Sequence, residues 1–160
     1  MNTFKMQRLI WNDPWTFIAC GCGIGTLPLM PGTYATLASV ALYLVLVKLP
    51  LVAYVITIIL LNAAGIWLCG KANRAFGTDD HPAAVWDEIA TFPIVMIAIP
   101  GTWYYILLGV VLFRLFDIWK PGPIGWIDKN LHGGLGVMLD DILAAIASWI
   151  ILQLIVVIFS

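Results

Sequence analysis

Asp87 and Glu88 stand side by side, as do Asp140 and Asp141, in a chain of 160 residues with nine acidic side chains. Adjacent carboxylates repel one another, and near a membrane such acids are costly unless paired or bound to a cation. Asp117 lies three residues after Arg114 and three before Lys120, so on a helix all three share a face. Asp128 falls in the loop that follows. Any one of these acids has a bland explanation, because a carboxylate at a helix N-terminus caps free amides and complements the dipole. The set does not: two pairs are adjacent, and Asp117 sits near a C-terminal end, where the dipole disfavours it. A shared divalent cation resolves both problems, and a donor set of oxygens suits Mg²⁺ or Mn²⁺ rather than zinc. Asp87, Glu88, Asp117, Asp140 and Asp141 are the candidate ligands.

Other residues suit an anion. The fork of Arg114 and the ammonium of Lys120 are able to neutralise a phosphate, although basic residues there also anchor a helix at an interface. Gly21, Gly23, Gly25 and Gly32, with Thr26, Thr33 and Thr36 among them, allow close backbone approach to a ligand or make a tight re-entrant turn. Gly25, Thr26 and Thr33 are the candidate phosphate contacts. His132, Gly133, Gly134 and Gly136 pose the same alternative. His81 and His132 are of a type able to donate or accept protons in catalysis. The three cysteines, Cys20, Cys22 and Cys69, make neither a zinc site nor a Cys-x5-Arg nucleophile loop, and read as free thiols. No Asp-x-Asp nucleophile motif is present.

The elements that must position these residues belong to a membrane. Hydrophobic residues make up 62% and charged residues 11%, against roughly 45–50% and about 25% in soluble domains. The mean hydropathy is +0.98. This excludes a soluble globular enzyme. A net charge of −1 excludes nucleic-acid binding driven by bulk positive charge.

Charge is absent from Pro14–Val47, Leu49–Gly70, Ile89–Phe113 and Ile142–Ser160. Pro100-Gly101 divides the third stretch with a turn, because lipid does not tolerate unsatisfied backbone. The expectation is an all-α polytopic bundle of about five transmembrane helices: Tyr34–Val47, Leu51–Gly70, Val85–Ile99, Thr102–Trp119 and Gly136–Phe159. The first and third are short, about 22 Å against a hydrocarbon core of about 30 Å. Five spans put Lys5, Arg8, Lys71, Arg74, Arg114, Lys120 and Lys129 on one side and Lys48 alone on the other. Four spans split them evenly. The positive-inside rule favours five, with a cytoplasmic N-terminus and an external C-terminus. The polar loops then converge on the cytoplasmic face.

Residues 1–160 read as a single domain without repeats. Residues 1–20 form an interfacial segment in which Phe4, Met6, Leu9, Ile10, Trp11 and Trp15 accompany Lys5 and Arg8. Asn12, Asp13 and Pro14 interrupt any signal-peptide core.

Four runs together resemble the phosphatidylglycerophosphatase A family: Gly23-x-Gly-Thr-Leu-Pro-x-x-Pro-Gly-Thr33, Val85-Trp-Asp-Glu88, Phe113-Arg-Leu-Phe-Asp-Ile-Trp-Lys-Pro-Gly-Pro-Ile124 and Asp128-Lys-Asn-Leu-His-Gly-Gly-Leu-Gly-Val-Met-Leu-Asp-Asp141. The resemblance runs from about Asn12 to Ala145. Ala90 or Thr91, and Ala145, stand where the family commonly has glycine. The resemblance implies a Mg²⁺-dependent phosphatase of the bacterial inner membrane that converts phosphatidylglycerophosphate to phosphatidylglycerol. It carries catalytic or binding roles onto Asp87, Glu88, Arg114, Asp117, Lys120, Asp128, His132, Asp140 and Asp141.

The expected chemistry is metal-assisted hydrolysis, with Arg114, Lys120 and loop amides stabilising the transferring phosphoryl group. A carboxylic acid or His132 protonates the leaving alkoxide. A direct carboxylate nucleophile stays open. The competing class is a small ion- or proton-coupled transporter using the same carboxylates, which would place them near the midplane of several spans rather than at one end. The partners expected are the lipid substrate and the bilayer, with no nucleic acid; the oligomeric state is not readable from the residues.

Overall fold

The computed structural model describes residues 3–159, and their side chains from residue 6 onward. The side chains of Phe4 and Lys5, assigned above to the interfacial segment, lie outside the described residues. Among the described residues the chain is all-helical: α1 Thr3–Asn12, α2 Pro14–Ala19, a 3₁₀ segment Gly21–Thr26, α3 Pro31–Leu46, α4 Leu51–Phe76, α5 Trp86–Val95, α6 Trp103–Trp119, α7 Pro123–Asn130 and α8 Gly133–Phe159. Two of these, α4 and α8, are long and apolar enough to cross a membrane. At 26 and 27 residues they are about 39 and 40 Å long. This fits a membrane protein.

The helices run up and down, so alternate helix ends meet. The short helix α5 is central, packed on α3, α4 and α8. Around it lies the main core of Tyr43, Tyr54, Phe92, Phe113 and Leu152. Helices α4 and α8 make the most extensive pairing. They approach closely because Gly65 lies against Met138 and Trp86, and Gly70 against Gly134. Small residues let helix backbones close where lipid supplies no hydrophobic drive. The stretch Ala63-Ala64-Gly65 thus uses its glycine within the chain and leaves both alanines exposed.

Several boundaries differ from the sequence expectation, each for a local reason. Helix α4 continues past Gly70 to Phe76, so Lys71 and Arg74 are helical rather than in a loop. It stops at Gly77, whose left-handed φ of 73° glycine adopts without strain. The third helix ends at Val95 rather than Ile99. Pro93 lacks the N–H that would bond Ile89, and Ser39 Oγ donates to that freed carbonyl at 2.6 Å. Beyond Val95 the chain turns through Ala98 at φ 55°. Trp149 Nε1 and Gln153 Nε2 donate to the Ile97 carbonyl at 2.9 and 3.0 Å. Non-helical backbone survives in an apolar bundle only when neighbours satisfy it in this way.

A further helix, α7, occupies the expected loop after α6, opened by Pro123 and carrying Asp128. Helix α8 begins at Gly133, three residues earlier than expected, which moves Asp140 and Asp141 into its third turn. There they no longer cap free amides.

The N-terminal segment is docked as well as amphipathic. Ile10 and Thr16 are fully buried, while Trp11 is exposed. Asp13 caps α2, accepting from the Thr16 amide at 2.9 Å. Its other oxygen accepts from Lys71 Nζ at 2.9 Å, and Lys71 lies over the rings of Trp15 and Trp67. Hydrogen bonding from Thr16, then from Lys71, outweighs burial and holds the Asp13 carboxyl below its ordinary range.

Candidate active site

The first turn of α5, the last turns of α6 and the third turn of α8 meet at one end of the bundle, and they bring most of the expected residues together. Arg114 is the hub of one group. Its guanidinium donates to Asp117 at 2.5 Å and to Glu88 at 3.4 Å, with all three side chains largely buried. The N-terminus of α3 closes over them at Gly32, where a Cβ would collide with the Glu88 carboxylate and crowd the Arg114 guanidinium at 3.1 Å. Only glycine admits this approach.

Lys120 is the hub of the second group, donating to Asp128 at 2.6 Å and to Asp140 at 2.5 Å. Burial opposes its charge, but the hydrogen bonds to Asp128 and Asp140 outweigh that and hold its ammonium above the ordinary value. Lys120 adopts φ 46° at the C-terminus of α6, a left-handed conformation unusual for a side chain with a Cβ. Pro121 follows and prevents the helix from continuing. The backbone strain thus aims the lysine across to α7 and α8.

Asp87 and Asp141 lie between the groups, both buried. Asp141 is within electrostatic reach of Asp117 and Asp87, and Glu88 within reach of Asp141. Six carboxylates therefore share two cations. Four buried oxygens have no protein partner: Oδ1 of Asp87, Oε2 of Glu88, Oδ1 of Asp140 and Oδ2 of Asp141; the Nε of Arg114 is also unpartnered. Buried anionic oxygens are costly without a donor or a cation, so this donor set fits a hard divalent ion. Among the described residues no three such side chains close on one point. Mg²⁺ needs no such cage, since it keeps several waters and is held by one or two carboxylates plus phosphate oxygens.

The remaining expected residues lie elsewhere. Gly25 packs on the Ala83 carbonyl, where a Cβ would collide, and Thr26 Oγ1 donates to Gly23 within its own turn at 2.7 Å. The glycine segment thus serves to close this turn on residues 83–89, with Val85 N–H donating to Ala19 at 3.0 Å. Thr33 borders an apolar groove that reaches Arg114. His132 is exposed and stands 4.0 Å from Asp79. His81 accepts from the Ala83 amide at Nδ1 at 3.1 Å and stacks on Phe76. Burial pushes its imidazole below the ordinary value, so it serves the loop as a neutral acceptor.

Sequence reasoning missed Asp79 and Asp80 as site residues. With Asp128, His132 and Asp140 they line a cavity of about 50 Å³. It also missed Asn73, a buried side chain that donates to the Asp79 carbonyl at 2.8 Å and accepts from the His81 amide at 3.1 Å. An amide side chain one turn before a helix-ending Gly-Thr-Asp-Asp run was the available signal.

The family model described as phosphatidylglycerophosphatase A matches residues 17–156. A protein named phosphatidylglycerophosphatase A from Escherichia coli K12 is 39% identical over 143 residues, covering 89% of this chain and 83% of its own. One of the same name from Haemophilus influenzae is 40% identical over 148 residues, covering 91% of each. A Bacteroides thetaiotaomicron protein provisionally named phosphatidylinositol-3-phosphatase is 37% identical over 143 residues, 84% of this chain and 89% of its own. No solved structure gives a significant match. The chain therefore belongs to the phosphatidylglycerophosphatase A family of phosphatase enzymes.

Proposed function

We propose that this chain hydrolyses the terminal phosphate of phosphatidylglycerophosphate, in a Mg²⁺-dependent reaction, to give phosphatidylglycerol and inorganic phosphate. The observation that carries the reading is the set of four unpartnered, buried carboxylate oxygens beside Arg114 and Lys120 at one end of an apolar bundle. Such an arrangement binds a cation and an anion together at the depth of a lipid headgroup.

A divalent ion would be held by one or two of Asp87, Glu88, Asp117, Asp140 and Asp141, with water and phosphate oxygens filling the rest of its shell; Glu88, Asp117 and Asp140 are each also paired to a cationic side chain. A bound Mg²⁺ supplies polarisation of phosphoryl oxygens and a more acidic water. Arg114 and Lys120 offset the charge on the transferring phosphoryl group. Asp128 or His132, which border the small cavity, returns a proton to the leaving alkoxide. A direct attack by a carboxylate is the variant of this scheme that a trapped acyl-phosphate would reveal.

The bundle crosses the bacterial inner membrane five times in this reading, through α3, α4, α5 with the turn after it, α6 and α8. Its polar end faces the cytoplasm. Support comes from the up-and-down packing and from the charges, since Lys48 alone stands in the turn between α3 and α4.

The test is purified protein in detergent with phosphatidylglycerophosphate. Phosphate release is expected, lost in EDTA, restored by Mg²⁺ and absent from Asp141→Asn. Release that survives EDTA overturns the metal-assisted scheme, and no release overturns the lipid phosphatase reading. Running phosphatidylinositol 3-phosphate alongside decides the headgroup, the point on which the relatives' names differ. A label at the C-terminus is expected outside; a cytoplasmic label overturns the five-span topology.

A further inference from the structure

Helices α3 and α6 touch only lightly, and an open apolar groove of about 410 Å³ lies between the start of α3 and one face of α6. Thr33, Val110, Val111, Leu115 and Ile118 line it, with Arg114 midway along the α6 side. The Arg114 Nε is buried without a partner. The N-terminus of α3 has no side-chain cap, and Gly32 allows it to close on the same guanidinium. The groove is thus apolar but for Thr33 and the guanidinium of Arg114, whose Nε is left to a ligand while its Nη1 meets Glu88 and Asp117.

A second apolar groove, of about 380 Å³, runs on the other side of α6 beside Pro121, Ile124, Ile146 and Ile150, with no charged side chain along it. The two resemble each other in size and apolar lining and differ in the guanidinium of the first.

We infer that the groove between α3 and α6 receives one acyl chain of the lipid substrate, whose phosphate end is thereby brought to Arg114. This rests on the lipid phosphatase reading above and adds the place of the tail. Moving a tail from bilayer to groove gains little affinity, because both surroundings are apolar. Its effect is orientation, which converts a freely diffusing headgroup into one held beside the carboxylates.

The test uses the full-length protein in mixed micelles with phosphatidylglycerophosphate bearing either long or four-carbon acyl chains. Val111 is half exposed, so Val111→Trp fills the groove without disturbing the core. It is expected to lower kcat/KM for the long-chain lipid at least tenfold and for the short-chain lipid less than threefold. Ile150→Trp, an equal increase in bulk facing the other groove, is expected to change neither. An equal fall for both lipids in Val111→Trp, no fall, or the selective loss appearing in Ile150→Trp instead would overturn the assignment. Failure of the phosphatase reading is separable, because the unsubstituted protein would then release phosphate from neither lipid. The groove would in that case be judged by cross-linking from a phosphatidic acid with a diazirine in its tail. Labelling at Val111 above Ile150 supports the groove, and equal labelling sinks it.

Discussion

The two ends of the bundle solve the same problem in opposite ways. At the end where α5 breaks off, freed backbone carbonyls are met by neutral side chains: Tyr54 donates to Pro93 at 2.7 Å, and Trp149 and Gln153 donate to Ile97. Every one of these contacts is between uncharged groups. At the other end, carboxylates outnumber cations and buried oxygens are left without donors. The first end leaves only neutral hydroxyls, those of Tyr43 and Thr102, without a partner. The second leaves buried carboxylate oxygens without one, a far costlier omission that suits a ligand site. Stability and chemistry should therefore separate along the bundle axis.

Substitutions test that separation most sharply at the polar end. Asp141→Asn is expected to bring phosphate release below detection while the thermal midpoint stays level or rises, because a crowded buried charge is removed. A fall in the midpoint together with activity would mean that this acid is structural. Next in size is Arg114→Lys, which keeps the charge and loses the fork that spans Asp117 and Glu88. A fall of about a hundredfold in kcat is expected, comparable to loss of one positioned donor; retained activity would show that a point charge suffices.

Lys120→Met breaks both kinds of behaviour at once, since it leaves Asp140 buried and unpaired. It should destabilise by about 2–3 kcal/mol, read by denaturation in detergent, besides abolishing turnover. At the apolar end the order reverses. Tyr54→Phe removes the donor to the Pro93 carbonyl and should cost about 1–2 kcal/mol with kcat within threefold. Gln153→Leu should cost least, under about 1 kcal/mol, because Trp149 still donates to the same carbonyl. Large activity losses from either of the last two would dissolve the contrast.

The legibility of the chain follows the same physics. Long apolar runs and the turn at Pro100-Gly101 were readable because lipid punishes any other arrangement, and α3, α6 and α8 begin or end close to where charge and turn residues stop. The acids were readable as a set because adjacent like charges need an explanation that isolated ones do not. Three things were obscured. Pro93 was passed over as a breaker because the run around it stays apolar, yet it stops α5 within a turn. The short helix α7 was hidden by a mixed polar composition that reads equally as loop. Gly25 and Thr26 looked like an anion cradle, since glycine spacing alone does not say whether a ligand or the chain's own Ala83 carbonyl approaches.

What the residues determined by themselves is local: where helices run, which stretches are too apolar for water, and which side chains carry charge. Each follows from the solvation of a few neighbouring groups. What only the tertiary structure decided is pairing. Arg114 chooses Glu88 and Asp117, Lys120 chooses Asp128 and Asp140, and Asp87 and Asp141 are left buried with oxygens unanswered. Electrostatic partners are set by distances across helices, and those distances exist only after Gly32, Gly65 and Gly134 have let the backbones close.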